Sequence, residues 1–152
     1  MSTLGRPKTP WHLWVVGFVS LLWHAGGAYD YTMTQSRDMD YLTMSADGAG
    51  MPVDTMVAYY EGFPIWADIC WAFGVWGAVA GSLLLLLRSR FAFHAFVVSL
   101  IGLVGTSLYT FTGSMPPELQ SNFTYIFTAV VFATTILLAW YARRMTTRGV
   151  LR

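Results

Sequence analysis

The chain has 152 residues, of which 55% are hydrophobic and 11% are charged, and its formal net charge is +1. Soluble domains carry about 25% charged residues, so this composition argues against a soluble protein and for one embedded in lipid. The single cysteine, Cys70, excludes an intramolecular disulfide and a CxxC thiol or zinc motif.

The first apolar segment follows a short polar arm that ends at Pro10. Proline suits the first turn of a helix, and about 20 apolar residues cross a hydrocarbon core about 30 Å thick, so residues 11–31 are predicted to span a membrane. A cleaved signal peptide is the alternative, because small residues from Ala25 to Ala28 follow a basic start and an apolar centre. The tryptophans of this segment and His24 favour the spanning helix.

The next segment, residues 32–62, is polar and is predicted to form an outer loop. Ser45 to Pro52 has the composition of irregular structure. Asp54 to Glu61 is predicted to form two turns of helix on the membrane surface, with Asp54 as the N-cap and Gly62 as the stop signal.

Three further apolar segments are predicted to span the membrane: residues 63–87, 91–111 and 123–141. Two arginines bracket the turn between the first two, and a Pro-Pro loop precedes the last. The sequence therefore predicts an all-α integral membrane four-helix bundle with up-down-up-down order, formed by residues 1–152 as a single transmembrane domain.

Glycines recur along the second and third spans. Gly74, Gly77 and Gly81 lie along one stripe of the second span, and Gly102 and Gly105 lie on the third. Small residues let two helix backbones approach closely within a bilayer. We expect the Gly74/Gly77/Gly81 stripe to mediate self-association or attachment to another membrane protein.

Charge is sorted strongly by position. Among the nine lysines and arginines, only Arg37 falls on the side where the acidic residues lie. The others fall on the opposite side: Arg6, Lys8, Arg88, Arg90, Arg143, Arg144, Arg148 and Arg152. The positive-inside rule therefore predicts that both termini are cytoplasmic. The basic tail is expected to attract anionic lipid headgroups rather than nucleic acid.

Ionisable side chains within a span are candidates for function because their burial is costly. From the predicted ends of the first two spans, His24 and Asp68 have matching depths, and Asp30 and Tyr31 lie nearby. These four residues are the candidate polar pocket: His24, Asp30, Tyr31 and Asp68. The alternative is that His24 and Asp68 merely lock two helices together, or that both reach the lipid headgroups.

Two sets of residues could form metal sites, and each also has a simpler role. His12 and His94 have equal depth, as a haem pair would, but histidine is ordinary at an interface. Six outer methionines could bind Cu(I) through their thioethers or simply pack the loop: Met33, Met39, Met44, Met51, Met56 and Met115. No metal site, cofactor or catalytic residue is predicted, because no nucleophile with a base, paired carboxylates or phosphate loop is present.

Several stretches carry a resemblance that covers most of the chain outside the outer loop. They are Arg6–Gly17 (RPKTPWHLWVVG), Asp30-Tyr31, Gly62-Phe63-Pro64, Gly74–Gly77, Gly81–Arg90, Tyr141-Ala142-Arg143 and Arg148-Gly149. In these stretches the chain resembles an uncharacterised group of small bacterial inner-membrane proteins that often carry the label "sugar transporter". The resemblance implies a multi-pass protein of the bacterial inner membrane and supplies no functional residues.

Three functions follow as hypotheses. The first is a non-enzymatic accessory or interaction protein of a membrane complex. The second is a small-solute, sugar-type transporter acting as an oligomer, although the equal orientation of the two helical hairpins provides no inverted repeat within the chain. The third is a haem- or copper-binding membrane protein.

The charge distribution predicts the outcome of a fusion experiment. Green fluorescent protein fused after Arg152 should fluoresce, because the carboxyl end is expected to face the cytoplasm where that reporter folds. Alkaline phosphatase fused at the same position should stay inactive. Phosphatase activity without fluorescence would contradict the predicted topology.

Overall fold

The computed structural model describes residues 8–113 and 115–152, and within these ranges it contains α-helices, one 3-10 turn and no strand. The predicted all-α class is confirmed. The helices are α1 (Trp11–Gln35), α2 (Met39–Ala49), α3 (Val53–Glu61), α4 (Ile65–Leu86), α5 (Ala92–Thr112) and α6 (Asn122–Thr147), with the 3-10 turn at Pro117–Leu119. Arg6 and Pro7, which enter the charge and resemblance arguments, lie outside the described residues.

Three of these helices are long and apolar enough to cross a membrane. They are α4, α5 and α6, with 22, 21 and 26 residues. At 1.5 Å per residue they are roughly 30 to 40 Å long, which matches a bilayer core. Helix α1 has 25 residues but is not among the three, because histidines, tryptophans and a polar outer end dilute its apolar residues. The finding indicates a membrane protein with at least these three spans.

The ends of the long helices differ from the predicted ends. Helix α1 continues one turn beyond Tyr31 to Gln35, and α6 continues beyond Tyr141 to Thr147. Helix α4 starts two residues later than predicted, because Pro64 precedes its first turn. Hydropathy marks where a helix enters lipid and does not mark where its backbone hydrogen bonding stops, so polar last turns were missed.

The predicted outer loop is largely helical. The helix predicted near Asp54–Glu61 is present as α3, whereas α2 was not predicted and it includes Ser45 to Ala49, which were predicted to be irregular. Asp38 caps α2 by accepting a hydrogen bond from the backbone of Tyr41, and α2 ends at Gly50, which has a φ of 70°. Helix α3 begins at Val53 after Pro52, so Asp54 lies in the first turn and is not the N-cap. It ends before Gly62, as expected.

A small apolar core explains why α2 forms despite its loop-like composition. Leu42 and Ala46 lie one turn apart on α2 and are buried with Met51 and Met56. Arg37 and Glu61, whose side-chain atoms are 2.6 Å apart, connect the turn before α2 to the end of α3. Burial of one helical stripe thus overrides the polar residues around it.

The long helices form a row in the order α1, α4, α5, α6. Helix α4 packs along both α1 and α5, and α6 packs on α5. Neighbouring helices in the row are antiparallel. In the pair α1 and α4, for example, Gly17 faces Leu86 near one end and Gln35 contacts Asp68 near the other. The end that carries Arg88, Arg90 and Arg152 is called the basic end below, and the opposite end, with α2 and α3, is called the acidic end.

The main apolar core lies at the basic end. There Leu13 of α1, Leu85 of α4, Phe96 of α5 and Met145 of α6 share one buried cluster. The segment after α6 joins this cluster through Val150 and Leu151. The core therefore draws the first and last helices of the row together at this end.

Two backbone hydrogen bonds fix the segment that follows α6. The Arg90 nitrogen donates to the Arg152 oxygen, and the Arg152 nitrogen donates to the Arg88 oxygen, both at 2.9 Å. The predicted basic tail is therefore ordered and closes over the turn between α4 and α5.

The glycine stripe lies inside the α4–α5 contact. A Cβ added at Gly77 would lie 2.9 Å from the Ser99 nitrogen, and one added at Gly102 would fall on backbone atoms of Cys70 and Gly74. The stripe is therefore occupied by α5 and is not free for a second protein. The predicted partner stays a prediction, and it would need another surface.

The glycine contacts predict opposite effects for two Gly→Ala substitutions. Gly102→Ala should lower the free energy of unfolding by about 1 to 3 kcal/mol, because the methyl group meets backbone that cannot move aside. Gly27→Ala should raise it by up to about 1 kcal/mol, since an added Cβ there meets nothing within 4 Å. Thermal unfolding followed by circular dichroism in one detergent compares the two. Equal stabilities, or the reverse order, would contradict the prediction.

Candidate functional site

Helices α1, α4, α5 and α6 enclose a partly open cavity of about 690 Å³. Its lining comes from residues 22–30, 71–78, 99–111 and 127–135. The cavity is therefore located toward the acidic end of the helices, while the apolar core closes the basic end. The volume is within the range of small-molecule sites, about 300 to 1,000 Å³.

The cavity exists because α1 and α6 are not packed together toward the acidic end. Buried side chains of α6 begin at Thr135 and continue toward the basic end. On α1, the cavity is lined by Gly26 and Gly27, at which an added Cβ would meet nothing within 4 Å. Trp23 and Phe127 reach across, with ring centroids 6.1 Å apart. Small residues on α1 thus leave space that larger side chains would fill.

The lining is mainly apolar and aromatic, with a few polar groups. Six hydroxyl-bearing residues line it, together with one carboxylate, Asp30, and one imidazole, His24, and no lysine or arginine is among the lining residues. The hydroxyl-bearing residues are Ser99, Thr106, Ser107, Thr110, Thr128 and Thr135. A mostly apolar wall with convergent polar groups is typical of a ligand site.

His24 is the most deeply buried ionisable group of the cavity, with 7% of its surface exposed. Its Nδ1 lies 2.8 Å from the Ser82 hydroxyl oxygen, and that hydroxyl donates its one hydrogen to the Ala78 carbonyl at 3.0 Å. With that hydrogen engaged at Ala78, Ser82 has lone pairs for His24, and on this basis we assign the imidazole hydrogen to Nδ1. In the neutral ring, Nε2 is then a hydrogen-bond acceptor.

Nε2 of His24 is buried and has no hydrogen-bond partner in the described part of the chain. Buried polar groups are nearly always paired, and leaving one unpaired costs about 1 to 3 kcal/mol. This nitrogen has almost no accessible surface of its own, but it belongs to a residue that lines the cavity, which makes it a candidate partner for a donor from outside the chain.

Asp30 lies at the rim of the cavity and is held by α2. The Tyr41 hydroxyl donates to Oδ1 of Asp30 at 2.6 Å. Burial of the phenol, and then this contact, raise the pKa of Tyr41 to about 12. Tyr41 therefore stays a protonated donor at physiological pH and orients the carboxylate.

The four residues of the predicted polar pocket separate into two pairs. His24 and Asp30 line the cavity, whereas Tyr31 and Asp68 are not among its lining residues. The ring of Tyr31 packs edge-on against Trp71, with centroids 5.0 Å apart. Asp68 accepts a hydrogen bond of 3.3 Å from Gln35.

The proposed His24–Asp68 pair is therefore not formed. Gln35, the contact of Asp68, is eleven residues beyond His24, which is about 16 Å along α1. The depth estimate failed because it aligned Asp30 with Phe63, whereas α1 continues to Gln35 and α4 begins at Ile65. Ser82, the actual partner of His24, was missed. The sequence signal that could have identified Ser82 is its position as a single hydroxyl-bearing residue directly before the leucines at 83–87.

The two histidines of the haem hypothesis have separate surroundings. Nδ1 of His12 lies 2.6 Å from the Tyr141 hydroxyl, between α1 and α6. His94 is exposed in the first turn of α5, where its ring packs against Phe93.

The methionines of the copper hypothesis are divided between two environments. Met51 and Met56 are buried in the small core of α2 and α3, whereas Met39 and Met44 are exposed. Within residues 8–113 and 115–152, no three of histidine, cysteine, aspartate and glutamate are grouped to hold a metal ion.

No family model, curated protein or solved structure matches the chain. The resemblance to small inner-membrane proteins therefore stays a prediction, and the geometry of the cavity is the basis for a function.

The His24–Ser82 contact predicts a specific loss of stability. Ser82→Ala should lower the free energy of unfolding by about 1 kcal/mol, because Nδ1–H of His24 loses its acceptor. Ser20→Ala is the matched control, since buried Ser20 bonds only its own helix, at the Gly17 carbonyl. Thermal unfolding in detergent measures both.

In a His24→Leu background, the cost of Ser82→Ala should largely disappear. An unchanged cost in that background would show that the two side chains are not energetically coupled.

Proposed function

We propose that the chain is a four-span protein of the bacterial inner membrane that binds a small molecule in the cavity. Helix α1 is the fourth span in this proposal. Its 25 residues, about 37 Å at 1.5 Å per residue, run beside α4 from Gly17 at Leu86 to Gln35 at Asp68. A helix that accompanies an apolar span over this length would cross the same bilayer.

In this proposal both termini face the cytoplasm and the cavity belongs to the outer half of the membrane. The charge at the two ends of the helices supports this orientation. Backbone contacts place Arg88, Arg90 and Arg152 together at the basic end, while Asp30 and Asp68 lie toward the other end.

The single observation that supports ligand binding is His24 beside the cavity. Its Nδ1 contacts Ser82, its second nitrogen has no partner among the described residues, and the residue lines a cavity of about 690 Å³. A bound molecule that donates a hydrogen bond would satisfy the nitrogen. The predicted accessory role in a membrane complex is compatible with this activity.

A solute carrier is the second candidate function. The cavity is closed at the basic end by the core around Leu85 and Phe96 and is partly open elsewhere. One state of an alternating-access carrier would have this form. Solute flux into liposomes that contain the purified chain would favour the carrier, whereas retention without flux would favour a binding protein.

Filling the cavity tests the proposal directly. Gly27→Phe introduces a ring where an added Cβ meets nothing within 4 Å, and Ala25→Phe, two residues away on an exposed position outside the lining, is the matched control. Native mass spectrometry of chains extracted from their membrane should show a bound small molecule on the wild type and on Ala25→Phe. Gly27→Phe should retain about a tenth or less, a loss of about 1.4 kcal/mol.

Two results would contradict the proposal. One is a wild-type chain that carries no small molecule. The other is equal retention by the wild type and Gly27→Phe, with both variants as helical as the wild type by circular dichroism.

A further inference from the structure

We propose that the cavity selects a lipophilic organic ammonium ion that carries a second hydrogen-bond donor at its far end. This inference rests on the proposed ligand-binding function and specifies the chemical class of the ligand. In this assignment the ammonium group binds at Asp30 and the second donor binds at Nε2 of His24.

The hydroxyl groups of the lining are mostly used as donors within the protein. Four of the six donate to helix carbonyls: Ser99 to Gly74, Thr106 to Gly102, Thr128 to Thr124 and Thr135 to Val131. A hydroxyl has one hydrogen, so each of these four has only lone pairs left for a ligand. The walls therefore offer mainly acceptors.

The imidazole and the carboxylate of the lining have the same character. With its hydrogen on Nδ1, His24 offers an acceptor at Nε2, and Asp30 is acceptor-only when ionised. Tyr41 occupies one carboxylate oxygen of Asp30, and no lysine or arginine lines the cavity. Donors in the lining are confined to the indole N–H groups of Trp23 and Trp71 and the hydroxyls of Ser107 and Thr110. The lining thus favours a ligand that brings hydrogens, and its one formal charge favours a cation.

The aromatic rings of the lining also favour a cation. Trp23, Trp71, Phe111, Phe127 and Phe132 all line the cavity. The face of an aromatic ring attracts a cation through its quadrupole, most strongly for tryptophan and in a site that excludes water. The same walls would bind the apolar body of the ligand.

Two other ligand classes fit less well. An anion would meet the carboxylate of Asp30 and no lysine or arginine. A free sugar would bring hydrogens to these acceptors, but it carries more hydroxyl groups than the few polar groups of the lining can pair, and unpaired polar groups weaken binding.

The positions of the two end groups suggest a probe. His24 and Asp30 are six residues apart on α1, which is about 9 Å along the axis. Tyramine has one aromatic ring, with an ethylammonium chain on one side and a phenol hydroxyl on the opposite side. Three analogues each change one end: phenethylamine lacks the hydroxyl, 4-ethylphenol lacks the amine, and 3-(4-hydroxyphenyl)propionate replaces the amine with a carboxylate.

Isothermal titration calorimetry of the full chain in detergent tests the assignment. Tyramine should bind most tightly, and each analogue should bind about tenfold more weakly or worse, as expected for loss of a charged or buried hydrogen bond. Asp30→Asn should remove the difference between tyramine and 4-ethylphenol. His24→Leu should remove the difference between tyramine and phenethylamine.

Asp68→Asn, an acid outside the cavity, is the matched control and should leave all four affinities unchanged. Asp30 is exposed, so Asp30→Asn keeps the test valid if His24→Leu fails to fold. Equal or tighter binding of the propionate, an unchanged ranking in Asp30→Asn, or no binding of any of the four compounds would overturn the cation assignment. The proposed ligand-binding function is tested separately, by comparing the small molecule retained on the wild type, Gly27→Phe and Ala25→Phe in native mass spectrometry.

Discussion

The close approach of α4 and α5 is the contact on which the other helices depend. It is possible because Gly74, Gly77 and Gly102 have no side chains where the two backbones meet, and the Ser99 hydroxyl donates across the contact to the Gly74 carbonyl at 2.5 Å. In a bilayer, such packing and hydrogen bonding replace the hydrophobic effect as the force that associates helices. The pair forms a central unit with α1 on one side and α6 on the other.

This arrangement produces both the core and the cavity. Leu13, Phe96 and Met145 bring α1, α5 and α6 together at one end. Toward the other end, Gly26 and Gly27 of α1 and the largely exposed first half of α6 leave the space between them open. A row of helices that is tight at one end and loose at the other creates a pocket without any helix breaking.

The apolar segments could be predicted because lipid imposes length and composition on a span, and α4, α5 and α6 followed those rules. Helix α2 could not be predicted in this way, because its stability comes from the burial of Leu42 and Ala46 and not from its polar sequence. His24 and Asp30 could be singled out as charged or polar residues near apolar ones.

Their partners could not be identified in the same way. The contact of His24 with Ser82 depends on the register between α1 and α4, and the contact of Asp30 with Tyr41 depends on the presence of α2. Register and helix presence both follow from tertiary packing. The predicted register between α1 and α4 was in error by about three helical turns, and His24 was therefore assigned to the wrong residue.

The pairing of Arg152 with Arg88 and Arg90 has a consequence for the order in which the molecule can assemble. A ribosome makes α1 first and the segment with Val150 and Leu151 after all the other helices. Leu13 shares its core with those two residues, so the first helix inserted cannot complete its packing until they have emerged. During synthesis, the part of α1 at the basic end is thus expected to remain uncovered for longer than any other part of the core.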